Sequence, residues 1–162
     1  MAKVWFITGA SRGFGRVWTE AALKRGDKVA ATARKLESIA DLKEKYGTNV
    51  LTLQLDVTKP EQVKTAVEQA NTHFGRLDIV CNNAGYSLVG MIEEASADDV
   101  RALYETNILG PLAVIKAALP LLRQKRPASR GRYLAQFRCA RDEPREIERH
   151  ARRLQSPRAH PG

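Results

Sequence analysis

The sequence predicts an α/β fold built on a doubly wound parallel sheet, and three observations carry that prediction. Short apolar runs alternate with helix-period stretches from residue 3 to residue 122. The first and fourth runs, Val4-Trp5-Phe6-Ile7 and Leu77-Asp78-Ile79-Val80-Cys81, are largely apolar without strict alternation, as strands covered on both faces are. A glycine-rich turn, Thr8-Gly9-Ala10-Ser11-Arg12-Gly13-Phe14-Gly15, leads from the first strand into the first helix.

The elements follow in order. Strand one is 3–8. Helix 13–25 presents Val17, Ala21, Ala22 and Leu23 on one side and is closed by Gly26. Strand two is 28–33, followed by a helix over about 36–46 that Gly47 stops. Strand three is 50–55. The next helix opens at Pro60, whose fixed φ suits the first helical position, and ends near Phe74-Gly75. Thr58 is its predicted N-cap, with Glu61 three residues on as a capping box. Strand four is 77–81, and a loop runs from Tyr86 to about Glu94. Ser96 caps a helix through Tyr104, with Asp99 at the third position, and a long apolar helix covers about 108–122. Right-handed crossovers place the strands in the order 3-2-1-4, a Rossmann-like arrangement.

The alternation then breaks. Residues 124–131 read as a loop, 132–137 as a short fifth strand, and Asp142-Glu143-Pro144 as the start of a weak helix reaching about Gln155. Residues 156–162 have a disordered composition. The sheet is therefore expected to stop after strand 4 or 5. The chain divides into a nucleotide-binding region, 1–125, and a basic Arg-rich tail, 126–162.

Charge follows the same boundary. The formal net charge is +9, yet residues 1–122 carry 15 Lys+Arg against 14 Asp+Glu, while 123–162 carry 12 against 4. After Lys125 there are 10 arginines and no lysine, whereas residues 1–122 hold 9 lysines and 6 arginines. Two readings of this tail stay open: a basic arm for nucleic acid or an acidic partner, or translation of a GC-rich gene in the wrong frame. The two cysteines do not form a disulfide framework; Cys81 closes an apolar strand as a buried thiol, and Cys139 lies in the tail. His73, His150 and His160 are isolated, with no metal-ligand spacing. With no signal peptide and no apolar run of membrane length, the expected location is cytoplasmic.

The glycine turn carries the chemistry. Gly9 permits a tight turn, Gly13 lets backbone amides approach a pyrophosphate, and Gly15 lets the helix pack closely. The N-terminus of the helix offers unpaired N–H groups and partial positive charge to phosphates. At the end of strand two stands Thr32-Ala33-Arg34-Lys35, with no acid to take a ribose 2′-hydroxyl. Two cations there suit a 2′-phosphate, so NADP(H) is expected in preference to NAD(H); a solvated strand end is the plainer alternative.

The spacing Thr-Gly-x-x-x-Gly-x-Gly, followed in order by Leu55-Asp56-Val57-Thr58, Asn82-Asn83-Ala84-Gly85 and Glu105-Thr106-Asn107-Ile108-Leu109-Gly110-Pro111, resembles the short-chain dehydrogenase/reductase family over about residues 3–125. The resemblance implies that Thr8, Gly9, Ser11, Arg12, Gly13, Phe14 and Gly15 cradle the pyrophosphate. It places Asp56 and Val57 at the adenine, and Asn83, Ala84 and Gly85 along the cofactor beyond the pyrophosphate. Asn107 would be the family's catalytic asparagine, holding a proton-relay water through a local helix distortion. Structural readings stand beside these: Asp56 as part of a helix start, Asn82 as a tie between the fourth-strand loop and the glycine turn, and Asn107 as a cap or surface residue.

The family's remaining machinery is a serine and a Tyr-x-x-x-Lys pair, in which the tyrosine is acid/base and the lysine lowers its pKa. Tyr46, Tyr86, Tyr104 and Tyr133 are followed four positions on by Val50, Gly90, Ile108 and Phe137, none of them lysine. Ser129 precedes the fifth strand and is not assigned the serine's role. The resemblance thus implies a carbonyl/alcohol oxidoreductase, homo-oligomeric in its parent family. This chain is expected to be a truncated, inactive cofactor-binding remnant in which only Asn107 of the catalytic set is present. The alternative is a non-catalytic nucleotide-binding protein with a basic arm. The substrate pocket is not legible, although Leu88, Val89 and Met91 in the loop after strand four would suit one apolar wall for a small carbonyl or alcohol. With the second half lacking, Leu109, Leu112, Ile115, Leu119 and Leu122 are expected to be partly uncovered, giving a marginal or aggregation-prone domain.

Overall fold

A computed structural model describes residues 2–124 and the backbone of 132–135. Five parallel strands form one sheet in the order β3-β2-β1-β4-β5. They are β1 (Val4–Ile7), β2 (Lys28–Ala33), β3 (Val50–Gln54), β4 (Ile79–Asn82) and β5 (Arg132–Ala135). The helices are α1 (Gly13–Lys24), α2 (Ala40–Tyr46), α3 (Pro60–Phe74), α4 (Ala97–Tyr104) and α5 (Gly110–Gln124). The expected order 3-2-1-4 is therefore present, and the fifth strand pairs with β4. The predicted helix over 142–155, Cys139 and the rest of the tail lie outside the described residues.

Two apolar layers sandwich the sheet, because alternate residues of each buried strand face opposite sides. Trp5, Ile7, Val29, Ala31 and Ala33 pack on one side with Phe14, Trp18, Ala22 and Leu23 of α1 and with Ile39 and Leu42 around α2. Val4, Phe6, Ala30 and Val80 pack on the other with Val63, Ala66, Val67 and Ala70 of α3 and with Val114, Ala118 and Leu122 of α5. Leu122, expected to be partly uncovered, is buried, because it lies on the same helical face as Val114 and Ala118. Leu109 and Leu112 are exposed as expected, and Ile115 and Leu119 are intermediate.

Two repeated devices fasten β1 at the end of the sheet where it begins. Asp27 is buried and accepts from the Lys3 amide at 2.9 Å, the Trp5 Nε1 at 2.8 Å and the Arg25 guanidinium. Asp78 accepts from the Val4 amide at 2.9 Å and from Arg76 Nε at 3.1 Å. The pattern Arg-x-Asp occurs just before both strands that flank β1, a signal the sequence carries openly. Burial pushes the Asp27 carboxyl up, but hydrogen bonds from Lys3, Arg25 and Trp5 outweigh it and hold the group below the usual carboxylate range.

Three local expectations change. The predicted helix over 36–46 is a 3₁₀ turn, Leu36–Ile39, followed by α2. Thr58 does not cap α3: its amide and its hydroxyl both donate to Asp56 Oδ1, at 3.0 and 2.7 Å, and Lys59 occupies the N-cap position without a side-chain bond. An Asp two residues upstream outcompetes the helix for that hydroxyl. The two helices predicted either side of Asn107 are one continuous helix, Ala97–Arg123, joined through a π turn at Glu105–Leu109. It is 27 residues long, and its most apolar 18-residue stretch has a mean hydropathy of 1.2, enough to span a membrane by length and composition alone. Split into two at Asn107, it gave no run of that length. Here its inner face packs on α3 and the sheet.

Candidate functional site

The carboxyl ends of β1, β2 and β4 converge on the glycine turn, the position where open α/β sheets place ligands. Backbone bonds anchor the turn on both sides: Thr8 N–H donates to the Cys81 carbonyl at 3.0 Å and Ala10 N–H to the Thr32 carbonyl at 2.8 Å. Burial pushes the Cys81 thiol up to about 12, which makes it an inert core group under the turn.

Asn83 then clasps the turn. Its Nδ2 donates to the Thr8 carbonyl at 3.1 Å and the Gly9 carbonyl at 2.9 Å. Thr8 Oγ1 reciprocates by accepting the amides of Asn83 and Ala84, both at 3.0 Å. The tie expected of Asn82 is thus made by Asn83; Asn82 is the last residue of β4 and is buried. Strand alternation turns successive side chains to opposite faces, so a one-residue difference decides which asparagine reaches the turn.

Two glycines are required by space. Gly9 has φ +69°, and a Cβ there would lie 2.9 Å from Ala84 Cα. A Cβ on Gly15 would overlap the Gly9 carbonyl and Asn83 Nδ2. Helix α1 therefore begins against the turn with no side chain between them. Arg12 sits at its N-cap without making a side-chain cap bond, and no acid lies in its first turn. A helix start that lacks a side-chain cap and anionic residues suits a phosphate. Ser11 and Arg12 are exposed at this rim. Phe14 departs from the other loop residues: its ring is buried and stacks on Trp18 with centroids 5.4 Å apart, so its side chain serves the core.

Arg34 and Lys35 are exposed beyond the end of β2. The Arg34 carbonyl accepts from Gln54 Nε2 at 3.1 Å, and the Lys35 carbonyl accepts from Ser38 Oγ at 2.6 Å. Neither Gln54 nor Ser38 stood out in the sequence, where a polar residue at a strand end or in a turn is unremarkable. Asp56 follows β3. Burial raises its carboxyl pKa, but the Thr58 bonds and the charges of Arg34 and Lys59 bring it below the usual range. Val57 is buried beside it, and Gly110 leaves room for it: a Cβ on Gly110 would meet Val57 Cγ2 at 2.8 Å.

Asn107 lies in the π turn, where the Gly110 N–H bonds the Glu105 carbonyl five residues back. Its side chain is engaged at both ends with Tyr86, accepting the Tyr86 amide at 3.1 Å and donating to the Tyr86 carbonyl at 2.7 Å. The helix distortion expected at Asn107 is present. The Asn107 amide group itself pins the loop after β4, next to Gly85, where a Cβ would stand 2.9 Å from its Oδ1. Beyond Tyr86 the loop exposes Leu88, Val89 and Met91.

The arrangement fits a dinucleotide: a cradle that any Cβ would fill, a helix start facing it, and cations at the neighbouring strand end. Known proteins agree with this geometry. Residues 3–132 match the short chain dehydrogenase family model. Oxidoreductase BOA17 of Botryotinia fuckeliana is 48% identical over 127 residues, covering 78% of this chain and 46% of the relative. A short-chain dehydrogenase structure from Streptomyces avermitilis aligns with TM-score 0.74 and 40% identity, covering 77% of this chain and 46% of that one. The 3-ketoacyl-(acyl-carrier-protein) reductase of Brucella melitensis, solved with NADH, aligns with TM-score 0.72 and 28% identity, covering 75% and 51%. The chain thus spans about half the length of the relatives it matches. Sheet order, glycine turn and family match coincide on the same residues: the chain belongs to the short-chain dehydrogenase family of NAD(P)-dependent oxidoreductases.

Proposed function

We propose that the 162-residue chain binds NADP(H) in preference to NAD(H) and does not by itself carry out carbonyl or alcohol hydride transfer. The observation that carries the first part is the glycine turn locked by Asn83 beside a β2 end bearing Arg34 and Lys35 and no acid. The turn's backbone and the start of α1 would hold the pyrophosphate, and Arg34 and Lys35 the 2′-phosphate. Asp56 and Val57 would border the adenine, and Asn83, Ala84 and Gly85 the segment beyond the pyrophosphate. When bound, such a cofactor supplies or accepts the hydride. What this sequence lacks is the proton donor: none of its four tyrosines has lysine four positions on, and no lysine follows Lys125. Arginine does not replace that lysine in a proton relay, since it stays protonated.

Fluorescence titration with NADPH and NADH, followed by an assay of NADPH oxidation with small ketones, tests the proposal. Micromolar saturable NADPH binding, weaker NADH binding and no oxidation above background are expected. Saturable binding that favours NADH overturns the cofactor preference, and turnover overturns the second part.

The exchange of lysine for arginine after Lys125 favours one reading of residues 126–162, a shifted reading frame. Independent sequencing of the coding DNA is then expected to reveal, downstream of codon 122 in another frame, a serine followed by Tyr-x-x-x-Lys. If no frame contains it, the basic arm becomes the reading to test, by salt-dependent DNA retention with and without residues 126–162.

A further inference from the structure

We propose that Gln54 is a positioning residue for the cofactor's 2′-phosphate: its side-chain amide fastens the Arg34 backbone, so that Arg34 and Lys35 are presented together at the end of β2. The inference deepens the NADP(H) reading and rests on it.

The backbone bonds show why a fastening is needed. Carbonyls of an extended strand point alternately to its two neighbours. On β2, the Thr32 carbonyl takes the Ala10 amide on the β1 side, and the Ala33 carbonyl takes the Leu55 amide on the β3 side. Continued alternation would aim the Arg34 carbonyl back toward β1. It is held instead from the β3 side, by Gln54 Nε2 at 3.1 Å. The chain therefore turns at Arg34. Among the described residues the ladder offers no rung for that turn: β3 ends at Gln54, and the Leu55 amide, bonded to the Ala33 carbonyl, is the last backbone donor it gives to β2. Gln54, the residue in register with Ala33, supplies the missing donor from its side chain. One residue on, the Lys35 carbonyl accepts both the Ser38 hydroxyl at 2.6 Å and the Ser38 amide at 3.3 Å. Side chains thus hold both consecutive carbonyls of the cationic pair.

The fastening matters because Arg34 has a competing anion nearby. Its charge lies close enough to Asp56 to help hold that carboxyl below the usual range. Released from Gln54, the Arg34 segment gains freedom to drop its guanidinium onto Asp56, and a phosphate must then order it again. Gln54 is exposed, so replacing it opens no core cavity.

The test uses the full chain with Gln54→Met, which keeps side-chain length and removes the donor. NADPH and NADH affinities are measured for the wild type, Q54M, Arg34→Gln and the double variant. Q54M is expected to weaken NADPH about three- to tenfold, the size of one hydrogen bond. NADH affinity and the melting midpoint stay unchanged, and Q54M has a smaller effect once Arg34 is Gln, since only Lys35 is then left to be presented. An unchanged NADPH:NADH ratio in Q54M, equal weakening of both, or a full Q54M effect in the R34Q background overturns the role of Gln54 while leaving the NADP(H) reading intact. A wild type with no preference for NADPH overturns that reading and this inference with it.

Discussion

Asn107 and Tyr86 hold each other twice, the Asn107 amide group closing on the Tyr86 backbone N–H at 3.1 Å and its carbonyl at 2.7 Å. An extended loop segment is thereby fixed to the π turn of the helix that carries Asn107. In this chain the Asn107 side chain is a clasp between the π turn and the loop after β4. Asn107→Ala removes both bonds, each worth about 1 kcal/mol. The Tyr86 amide should exchange with solvent about tenfold faster or more, measured by hydrogen exchange, while NADPH affinity changes less than threefold. An unchanged exchange rate would contradict the clasp.

Gly15→Ala tests the cradle. The new Cβ overlaps the Gly9 carbonyl and Asn83 Nδ2, so either the turn or α1 must move. Overpacking of this kind costs about 1–3 kcal/mol, and here it also displaces the amides proposed to hold phosphate. The expected outcome is a lower melting midpoint and loss of NADPH binding of at least tenfold. A fully binding variant would show that the close approach of α1 to the turn is not needed.

Asp27 gives a pH dependence with a definite sign. Its folded-state pKa lies below the ordinary value, so its contribution is fully present above the unfolded pKa of about 4. That contribution is lost as pH falls through the lower folded value. Asp27→Asn removes the charge while keeping one acceptor, at a cost of about 2 kcal/mol at pH 7. Urea denaturation at pH 7 and pH 3 should find a smaller difference between wild type and D27N at the lower pH. Asp41 and Asp56 are shifted in the same direction, so the acid slope of the variant shrinks without vanishing. A constant difference at both pH values would exclude Asp27 as a contributor to that slope.

Strand order and the glycine turn were legible because they rest on local signals. The apolar runs announce buried parallel strands, and Gly9 at φ +69° sits where a tight turn was read. Side-chain partners across the fold were less legible. Asn83 rather than Asn82 clasps the turn because of strand register, which a pair of adjacent asparagines leaves undecided. Thr58 looked like a helix cap until Asp56, two residues before it, took its hydroxyl. Gln54 and Ser38 act on carbonyls whose need for partners appears only where β3 ends. The sequence predicts two helices where the fold has one, Ala97–Arg123, because an asparagine flanked by helical stretches resembles a boundary as much as a π turn. The Arg-x-Asp pairs before β2 and β4 are plain in the sequence, but each alone looks like a surface turn, and only the fold brings Asp27 and Asp78 to β1.

The glycine turn clasped by Asn83 stands in a sequence without a Tyr-x-x-x-Lys pair, and we propose that it binds NADPH nonetheless. Calorimetric titration of the 162-residue chain with NADPH measures that binding. Saturable binding of one NADPH per chain with a micromolar dissociation constant is expected. The absence of saturable binding up to millimolar NADPH, in protein whose circular dichroism confirms an α/β fold, would contradict it.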